Sequence, residues 1–347
     1  MKILYTGVRH EHYHPKRRIS FEYNNFFLTL KAMKGIEVIE HPFDRILDVG
    51  KARFNEELVE LVGRERPDIL FAFMYSDELD PKALHHIKEK THTKSVAWFA
   101  DDYWRFFNYS RRWAPYFNWV VTTYSRALQW YRRVGLQHVI VSQWACNAAD
   151  YKPVDVPKDI EVSFVGQYKP PRGRVIRALE RGDIPVKAYG FGWPDGKISQ
   201  EEMLQVFSRS KINLNLNMRS GLLSPSVIAR MFLVKSINKV KLDFHLADNI
   251  RAYFHFPILH THARPFELAG CRAFVISGYS EDIGRYYTED KEMVFYRTFP
   301  ELLAKIRYYL PRDEERRGIA EAAYLRTLTE HTYEHRFRDI FKVVGVR

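Results

Sequence analysis

Apolar positions along the chain fall into short continuous runs separated by longer stretches of helical periodicity. Lys2–Thr6, Ile36–Ile39, Asp68–Met74, Lys94–Phe99, Trp119–Thr123 and Val139–Val141 are runs of strand length. Asp68–Met74, DILFAFM, is almost wholly apolar, the pattern of a parallel strand covered on both faces. Between the runs, Phe21–Met33 sets Phe26, Phe27 and Leu30 on one helical face, and Asn55–Arg64 does the same with Leu58, Leu61 and Val62. Gly35 supplies a stop after the first of these helices, and Pro81 opens another. Ser125–Val134 is a further helix. Strands alternating with helices predict βαβ units around a parallel sheet.

Near Tyr151 the pattern lapses. YKPVDVPKD carries Pro153 and Pro157 and reads as a linker. The alternation then restarts, with strands at Glu161–Val165, Val186–Tyr189, Lys211–Leu216, Phe274–Ile276 and Met293–Tyr296 and helices at Arg172–Arg181 and Glu201–Ser208. Pro300–Leu310, Arg312–Thr329 and Tyr333–Val344 close the chain as helices. The expectation is an α/β chain of two doubly wound domains in tandem, residues 1–152 and 158–330, followed by a helical segment, 331–347. Residues 217–260 break the rhythm as an insertion of the second domain. There Arg219, Arg230, Lys235, Lys239, Lys241 and Arg251 interleave with Met231, Phe232, Val234, Phe244, Tyr253 and Phe254. So long an insertion is functional or a structural helical cap, and its apolar content argues against disorder.

Composition narrows the function. The 347 residues are 46% hydrophobic, enough for two cores. Lys and Arg number 54 against 42 Asp and Glu, a net charge of +12, which favours polyanions, phosphorylated substrates or an anionic membrane surface. Cys146 and Cys271 have no metal-ligand spacing and suit a reducing compartment. The first residues, MKILYTG, read as a strand rather than a leader, and no run approaches the ~20 apolar residues of a membrane span. A cytoplasmic protein is expected.

In doubly wound folds ligands bind beyond the carboxyl ends of the strands. Gly7, Arg9 and His10 fall there after the first strand, and Asp101, Asp102 and Trp104 after the fourth. In the second half the same position is held by Gly166, Tyr168 and Arg172, by Gly190, Gly192 and Trp193, by Asn213, Asn215 and Asn217, and by Arg264 and Glu267. Glycine admits a ligand close to the backbone. Arginine matches phosphate bidentately, and a carboxylate accepts both hydrogens of a vicinal diol. Together these suit a nucleoside diphosphate carrying a hydrophilic group.

The stretch Thr261–Ser277, THARPFELAGCRAFVIS, is a short helix, a break and a buried strand, with Arg264 and Glu267 on one helical face. An ordinary i,i+3 ion pair is the competing reading. Of Asp101 and Asp102 only one can face a site, and a helix cap is the alternative. GFGWPDG lacks the third glycine of a dinucleotide fingerprint, and GxxxxGK[ST], GxSxG and HExxH do not occur. His10, His12 and His14 alternate without the Cys or carboxylate pattern that would complete a metal site, so no metal and no cofactor is expected.

An ordered series of segments resembles the CgeB-like glycosyltransferases, the spore maturation protein type within the GT-B superfamily. It runs VSFVGQYKPPR, AYGFGWPDGKIS, SKINLNLN, ARPFELAGCRAFVIS, IRYYL and ERRGIA, with looser agreement at FEYNNFFLTL, RPDILFAF and AWFADDYWRF. The resemblance implies two Rossmann-like domains with a cleft between them. The first would hold the acceptor and the second a UDP- or GDP-linked sugar, and the last helix would cross back to the first domain. It implies that Glu267 takes the ribose hydroxyls and Arg264 lies near the diphosphate. Phe266, Gly166, Tyr168, Arg172, Gly190, Gly192, Trp193, Asn215 and Asn217 would share that donor site. Gly7, Arg9, His10, Asp102 and Trp104 would meet the acceptor. In catalysis Arg264, helped by Arg172, would offset leaving-group charge, and His10, Asp101 or Asp102 would contact the attacking hydroxyl. The chain departs from related retaining enzymes at Leu259, where they carry glutamate, and at His262, where a lysine is expected. The expected activity is metal-independent transfer of a sugar to a polysaccharide, protein or small glycan. The alternatives are transfer to hydroxylated bases of nucleic acid, or binding of sugar nucleotides or polyanions without catalysis.

Overall fold

The computed structural model describes residues 1–218 and 222–346. In chain order its strands are β1 Lys2–Thr6, β2 Glu37–Glu40, β3 Ile69–Phe73, β4 Lys94–Phe99, β5 Trp119–Thr122, β6 Val139–Val141, β7 Ile160–Val165, β8 Val186–Tyr189, β9 Ser210–Asn215, β10 Leu233–Ser236, β11 Lys239–Leu242, β12 Val275–Gly278 and β13 Val294–Tyr296. Two sheets are wholly parallel. One has the order β2-β1-β3-β4-β5-β6, the other β13-β12-β9-β7-β8. The order reverses between β1 and β3 in the first sheet and between β7 and β9 in the second. In such sheets the crevice beyond the carboxyl ends at the reversal is where ligands bind. The fold class expected from the alternation is the one observed.

The chain forms two compact units. The first draws its described residues from Met1–Gln143, Ser220–Ile258 and Tyr333–Arg347, the second from Trp144–Arg219 and Leu259–Thr332. In the first, every residue of β3 is buried, as a strand covered on both faces demands. Phe54, Leu58 and Val62 of the helix Lys51–Glu65 face that sheet's core. Asp80 caps the helix Pro81–Lys90 by accepting the Lys82 N–H at 2.7 Å. Phe21–Met33 is not one regular helix: Tyr23–Phe27 is wound as a π-turn before the α-helix Leu28–Ala32. Phe26 sits there fully buried, 5.0 Å from Phe73 and 4.8 Å from Trp98. In the second unit, Ser199 and Glu202 form a reciprocal capping box that starts the helix Gln200–Arg209 and turns Met203, Val206 and Phe207 inward.

Two boundaries differ from expectation. The stretch after Gln143 belongs to the second unit, because the Cys146 N–H donates to the His331 carbonyl at 2.9 Å and Cys146 and Tyr151 are buried among Phe207, Phe266 and Leu268. The insertion, expected within the second domain, belongs to the first unit. Asp248 is ion-paired to Arg111 and, at 2.7 Å, to Arg112, and the Asn108 amide donates to Asn249 at 2.9 Å. It is not a purely helical cap, since β10 and β11 pair as an antiparallel hairpin between two helices. Of its basic residues, Arg219 lies outside the described residues. No helix among the described residues is long and apolar enough to cross a membrane.

The closing helix Tyr333–Val344 packs within the first unit through Phe337, which is fully buried and 5.6 Å from both Phe26 and Phe71. Phe337→Ala is expected to cost about 3–5 kcal/mol, the range for emptying a buried phenyl site. Denaturant unfolding of both proteins measures the loss, and a change below about 1 kcal/mol would show that the helix is dispensable to the first core.

Candidate functional site

In the second unit the loops after β7 and β8 are locked into one another. The Gly166 N–H donates to the Tyr189 carbonyl at 2.8 Å, and the Tyr168 N–H to that of Phe191 at 2.8 Å. The Trp193 indole N–H donates to the Gly166 carbonyl at 2.8 Å, and its ring stands edge-on to Tyr168 at 5.0 Å. Gly190 has φ +134°, and a Cβ there would overlap the Gly166 carbonyl oxygen, so only glycine lets the two loops approach. Gly166, Tyr168, Gly190, Gly192 and Trp193 thus form one rigid wall at the carboxyl end of the sheet.

Arg172 lies in the first turn of the helix Pro170–Glu180, whose opening prolines suit a helix start. Its Nε donates to the Leu216 carbonyl beyond β9 at 3.2 Å, and its Nη1 to the Gln167 carbonyl beyond β7 at 2.9 Å. The side chain therefore spans the reversal point of the second sheet. Burial, and to a smaller degree the charge of Arg264, lower this guanidinium below its ordinary range. No carboxylate among the described residues pairs with it. Arg264 opens the helix Arg264–Gly270 and holds Glu267 at 2.8 Å, with its guanidinium 5.3 Å over the Phe207 ring. The arginine side chain is 27% exposed and the carboxylate only 5%, so the cation is the member that meets the crevice. Glu267, expected to take ribose, is closed in this pair. Its charge, after burial, also helps raise the Tyr151 hydroxyl far above its ordinary range.

Other expected donor residues are taken up by the fold. Phe266 is fully buried against the rings of Tyr286, Tyr287 and His331 at 5.5, 5.4 and 5.9 Å, so its side chain cannot line a donor site. The asparagines of β9 and its exit are ties between strands. Asn213 accepts from Ser163 at 3.1 Å and donates to the Phe207 carbonyl at 3.1 Å. Asn215 donates to Ser277 at 2.9 Å and Asn217 to the His260 carbonyl at 3.0 Å, and all three are buried. Buried amides need partners, and neighbouring elements supply them without a ligand.

In the first unit Gly7, Arg9 and His10 follow β1 at the reversal point of that sheet. Gly7 is buried and its carbonyl accepts the Phe43 N–H at 2.9 Å. Arg9 faces Glu40 at 3.7 Å. His10 meets Asp44 through its backbone N–H at 2.8 Å and its Nδ1 at 2.9 Å, with Nε2 turned away from that pair. A carboxylate on Nδ1 fixes the tautomer that leaves Nε2 as a proton acceptor. Asp44, 34 residues away, carried no signal in the sequence.

Asp102, expected at the acceptor, lies inside the fold instead. It is fully buried, and its carboxylate accepts the Tyr131 hydroxyl at 2.8 Å. It cannot touch an acceptor. Burial raises its pKa to about 6. Asp101 and Trp104 instead line a cavity of about 630 Å³ with Tyr75, Arg105, Trp113, Arg230 and residues of the β10–β11 hairpin. Trp104 is braced by Phe256 at 5.2 Å and the Arg230 guanidinium at 4.9 Å. A smaller cavity, about 250 Å³, is lined by Lys158, Lys211, Arg272 and Arg316 at the amino ends of β7, β9 and β12, the edge away from the crevice. No cluster of metal-ligating side chains occurs among the described residues.

Two Rossmann-like parallel sheets of this kind make the GT-B fold, and solved glycosyltransferase structures share it. Residues 172–342 match the family model described as glycosyl transferase-like. Sucrose-phosphate synthase of Thermosynechococcus elongatus superposes with a TM-score of 0.64 at 10% identity, over 99% of this chain and 98% of that one. A glycosyltransferase of Rickettsia africae gives 0.57 at 9% identity, over 99% and 98%. Anabaena HepE, crystallised with UDP-glucose, gives 0.57 at 12% identity, over 99% of both chains. No curated protein matches the chain by sequence.

The raised pKa of Asp102 has a consequence for stability. The carboxyl binds its proton more tightly folded, with a pKa of about 6, than unfolded, near 3.8. Folding is therefore favoured at low pH by this group. Its contribution declines as pH rises from about 4 to 6 and is constant above. Asp102→Asn removes that term, so relative to the wild type the variant is expected to gain roughly 1–3 kcal/mol between pH 4 and pH 7. Urea unfolding at four pH values reads the difference, and a difference independent of pH would contradict it.

Proposed function

We propose that the protein is a glycosyltransferase that moves a hexose from a UDP- or GDP-linked donor, bound by the second unit, to a hydroxyl bound by the first, without a metal ion. The observation that carries the reading is Arg172 beside Arg264 at the sheet reversal. Burial and the charge of Arg264 disfavour the Arg172 cation, which has no carboxylate among the described residues, and a diphosphate would offset it. The wall built from Gly166, Tyr168, Gly190, Gly192 and Trp193 would flank the sugar or base. The cavity with Trp104, Trp113, Tyr75 and Asp101 suits a glycan acceptor, since aromatic faces and a few polar groups are what such a pocket needs. The His10–Asp44 contact supports direct displacement with inversion. Nε2 takes the proton of the acceptor hydroxyl, its oxygen bonds to the anomeric carbon, and the electrons of the breaking C–O bond leave with the diphosphate. Arg172 and Arg264 offset that departing charge. The match to a glycosyl transferase-like family model and the UDP-glucose complex of HepE support this choice of donor. We assign the chain to the CgeB-like branch on its ordered motif series, and to the cytoplasm in keeping with the free thiols Cys146 and Cys271.

Calorimetric titration with UDP tests the donor half. Charged hydrogen bonds are worth roughly 1.5–3 kcal/mol, so Arg172→Ala is expected to weaken UDP by about tenfold or more. Equal affinities would remove the reading. Glu267→Ala is expected to weaken UDP similarly, and 2′-deoxy-UDP separates two causes. A deoxy penalty that vanishes in the variant marks a ribose contact. An unchanged penalty means that Glu267 acts only by holding Arg264.

The catalytic half is read from hydrolysis of UDP-glucose without acceptor. His10→Ala is expected to lower turnover about 10²- to 10⁴-fold while UDP affinity is unchanged. Wild-type turnover is expected to persist in EDTA. Loss in EDTA with recovery in manganese would overturn metal independence, and full activity of His10→Ala would overturn the assigned base.

A further inference from the structure

Among the described residues, 11 of the 21 exposed large hydrophobic side chains fall between Leu223 and Phe254. Their arrangement is regular. On the helix Leu246–His255, Leu246, Ile250 and Phe254 recur at every fourth position on one face and are 45%, 38% and 65% exposed. The buried side of that helix carries Asn249 and Ala252, with Asn249 bonded to Asn108 and to the Met231 carbonyl. The helix is amphipathic but inverted, with polar groups satisfied inside and an apolar stripe in solvent. Along β11 and its exit, Val240, Leu242 and Phe244 alternate on one face, 67%, 66% and 88% exposed. Soluble monomers rarely display so much apolar surface without a partner.

The charges on the same segment select the partner. Lys239 and Arg251 are exposed, while Lys241 faces Asp77 at 3.8 Å. Both described acidic residues are taken: Asp248 by Arg111 and Arg112, and Asp243 by the backbone and ring of His245 at 3.0 and 2.6 Å. What remains outward is apolar surface interspersed with positive charge. Aromatic and aliphatic side chains beside lysine and arginine are what an anionic bilayer interface accepts. A second copy of the chain fits poorly, because a self-complementary contact would gather the Lys239 and Arg251 charges of both copies with no carboxylate left to offset them. Nucleic acid offers phosphate but no apolar phase.

We infer that residues 222–258 dock the first unit on an anionic lipid surface. Leu242, Phe244 and Phe254 enter the boundary between headgroups and acyl chains, and Lys239 and Arg251 meet lipid phosphates. Val240, Leu242 and Phe244 also border the cavity proposed above for the acceptor, so the inference sets that pocket at the lipid surface; donor binding by the second unit does not enter it.

Sedimentation of the full chain with vesicles tests it. Binding is expected to phosphatidylglycerol vesicles and not to phosphatidylcholine. Phe244→Ser with Phe254→Ser is expected to weaken it about tenfold or more, and Lys239→Glu with Arg251→Glu likewise, the charge pair also flattening the salt dependence. Unchanged melting temperatures and UDP titrations show that both variants are folded. Three outcomes would overturn the inference: no sedimentation with phosphatidylglycerol, undiminished binding by both variants, or a wild-type dimer in solution that the serine pair dissociates.

Discussion

The charge of Arg172 cannot be discharged by the residues that hold it. A guanidinium does not deprotonate in a protein, and the two groups that anchor this one are backbone carbonyls on either side of the strand reversal. Carbonyls satisfy donors but leave the charge in place. The helix Arg264–Gly270 adds a second cation whose carboxylate is already used. The neighbouring loops keep this charge fixed rather than neutral. Gly190 permits the loops beyond β7 and β8 to touch, Trp193 ties its indole to Gly166, and Tyr168 braces Trp193. A fixed, uncompensated positive site at the carboxyl end of a parallel sheet is preorganised for an anion, and that preorganisation is what the donor reading rests on.

The first unit solves the opposite problem, a carboxylate that must be buried. Glu78, fully enclosed beyond β3, accepts the hydroxyl of Tyr13 and both the N–H and hydroxyl of Ser76. A buried carboxylate is tolerable only when so satisfied. The cost fixes geometry: Ser76 Oγ accepts the Ile237 N–H at 2.9 Å, and the Ser76 carbonyl takes the Tyr109 hydroxyl. The turn of the β10–β11 hairpin is thereby pinned to the end of β3. The hairpin wall of the larger cavity is thus held at its turn through this charge, while Arg111, Arg112 and Asn108 hold the helix that follows.

Much of the fold could be read from sequence because parallel strands need continuous apolar runs and their helices need a 3.6-residue repeat. β3, β4 and β9 lie within a residue or two of those runs. Glycines and Arg172 at strand ends were legible for the same reason, since the sequence position just beyond a strand is also a spatial position. Other chemistry depended on long-range partners. Asp102 looked available until Tyr131 reached it, and Phe266 became core only once Tyr286, Tyr287 and His331 surrounded it. The alternation of Asn213, Asn215 and Asn217 suggests a ligand or a loop as their partner, whereas the groups they bond, Ser163, the Phe207 carbonyl, Ser277 and the His260 carbonyl, come from distant parts of the chain. Asp44 is invisible beside His10 without the turn after β2. Composition marks the insertion, but long-range contacts such as Arg111–Asp248–Arg112, Asn108–Asn249 and Ser76–Ile237 assign it to the first unit.

The Arg264–Glu267 pair constrains what the donor must be. Its carboxylate is nearly sealed, so removing the guanidinium alone would strand a buried charge. A bare phosphate or pyrophosphate can draw Arg264 outward, but it offers Glu267 nothing in return. On the reading proposed above, a nucleotide supplies both halves of an exchange: phosphate oxygens take the guanidinium, and the ribose diol donates to the carboxylate that it vacates. Neither charge passes through an unpaired state. Arg172, which has no carboxylate to relinquish, can bind any oxyanion, so it contributes attraction without choice. Selectivity for a nucleoside diphosphate over free pyrophosphate would then rest on the closed pair rather than on the open arginine. That gives a physical reason for keeping a cation and a carboxylate three residues apart at the mouth of this helix.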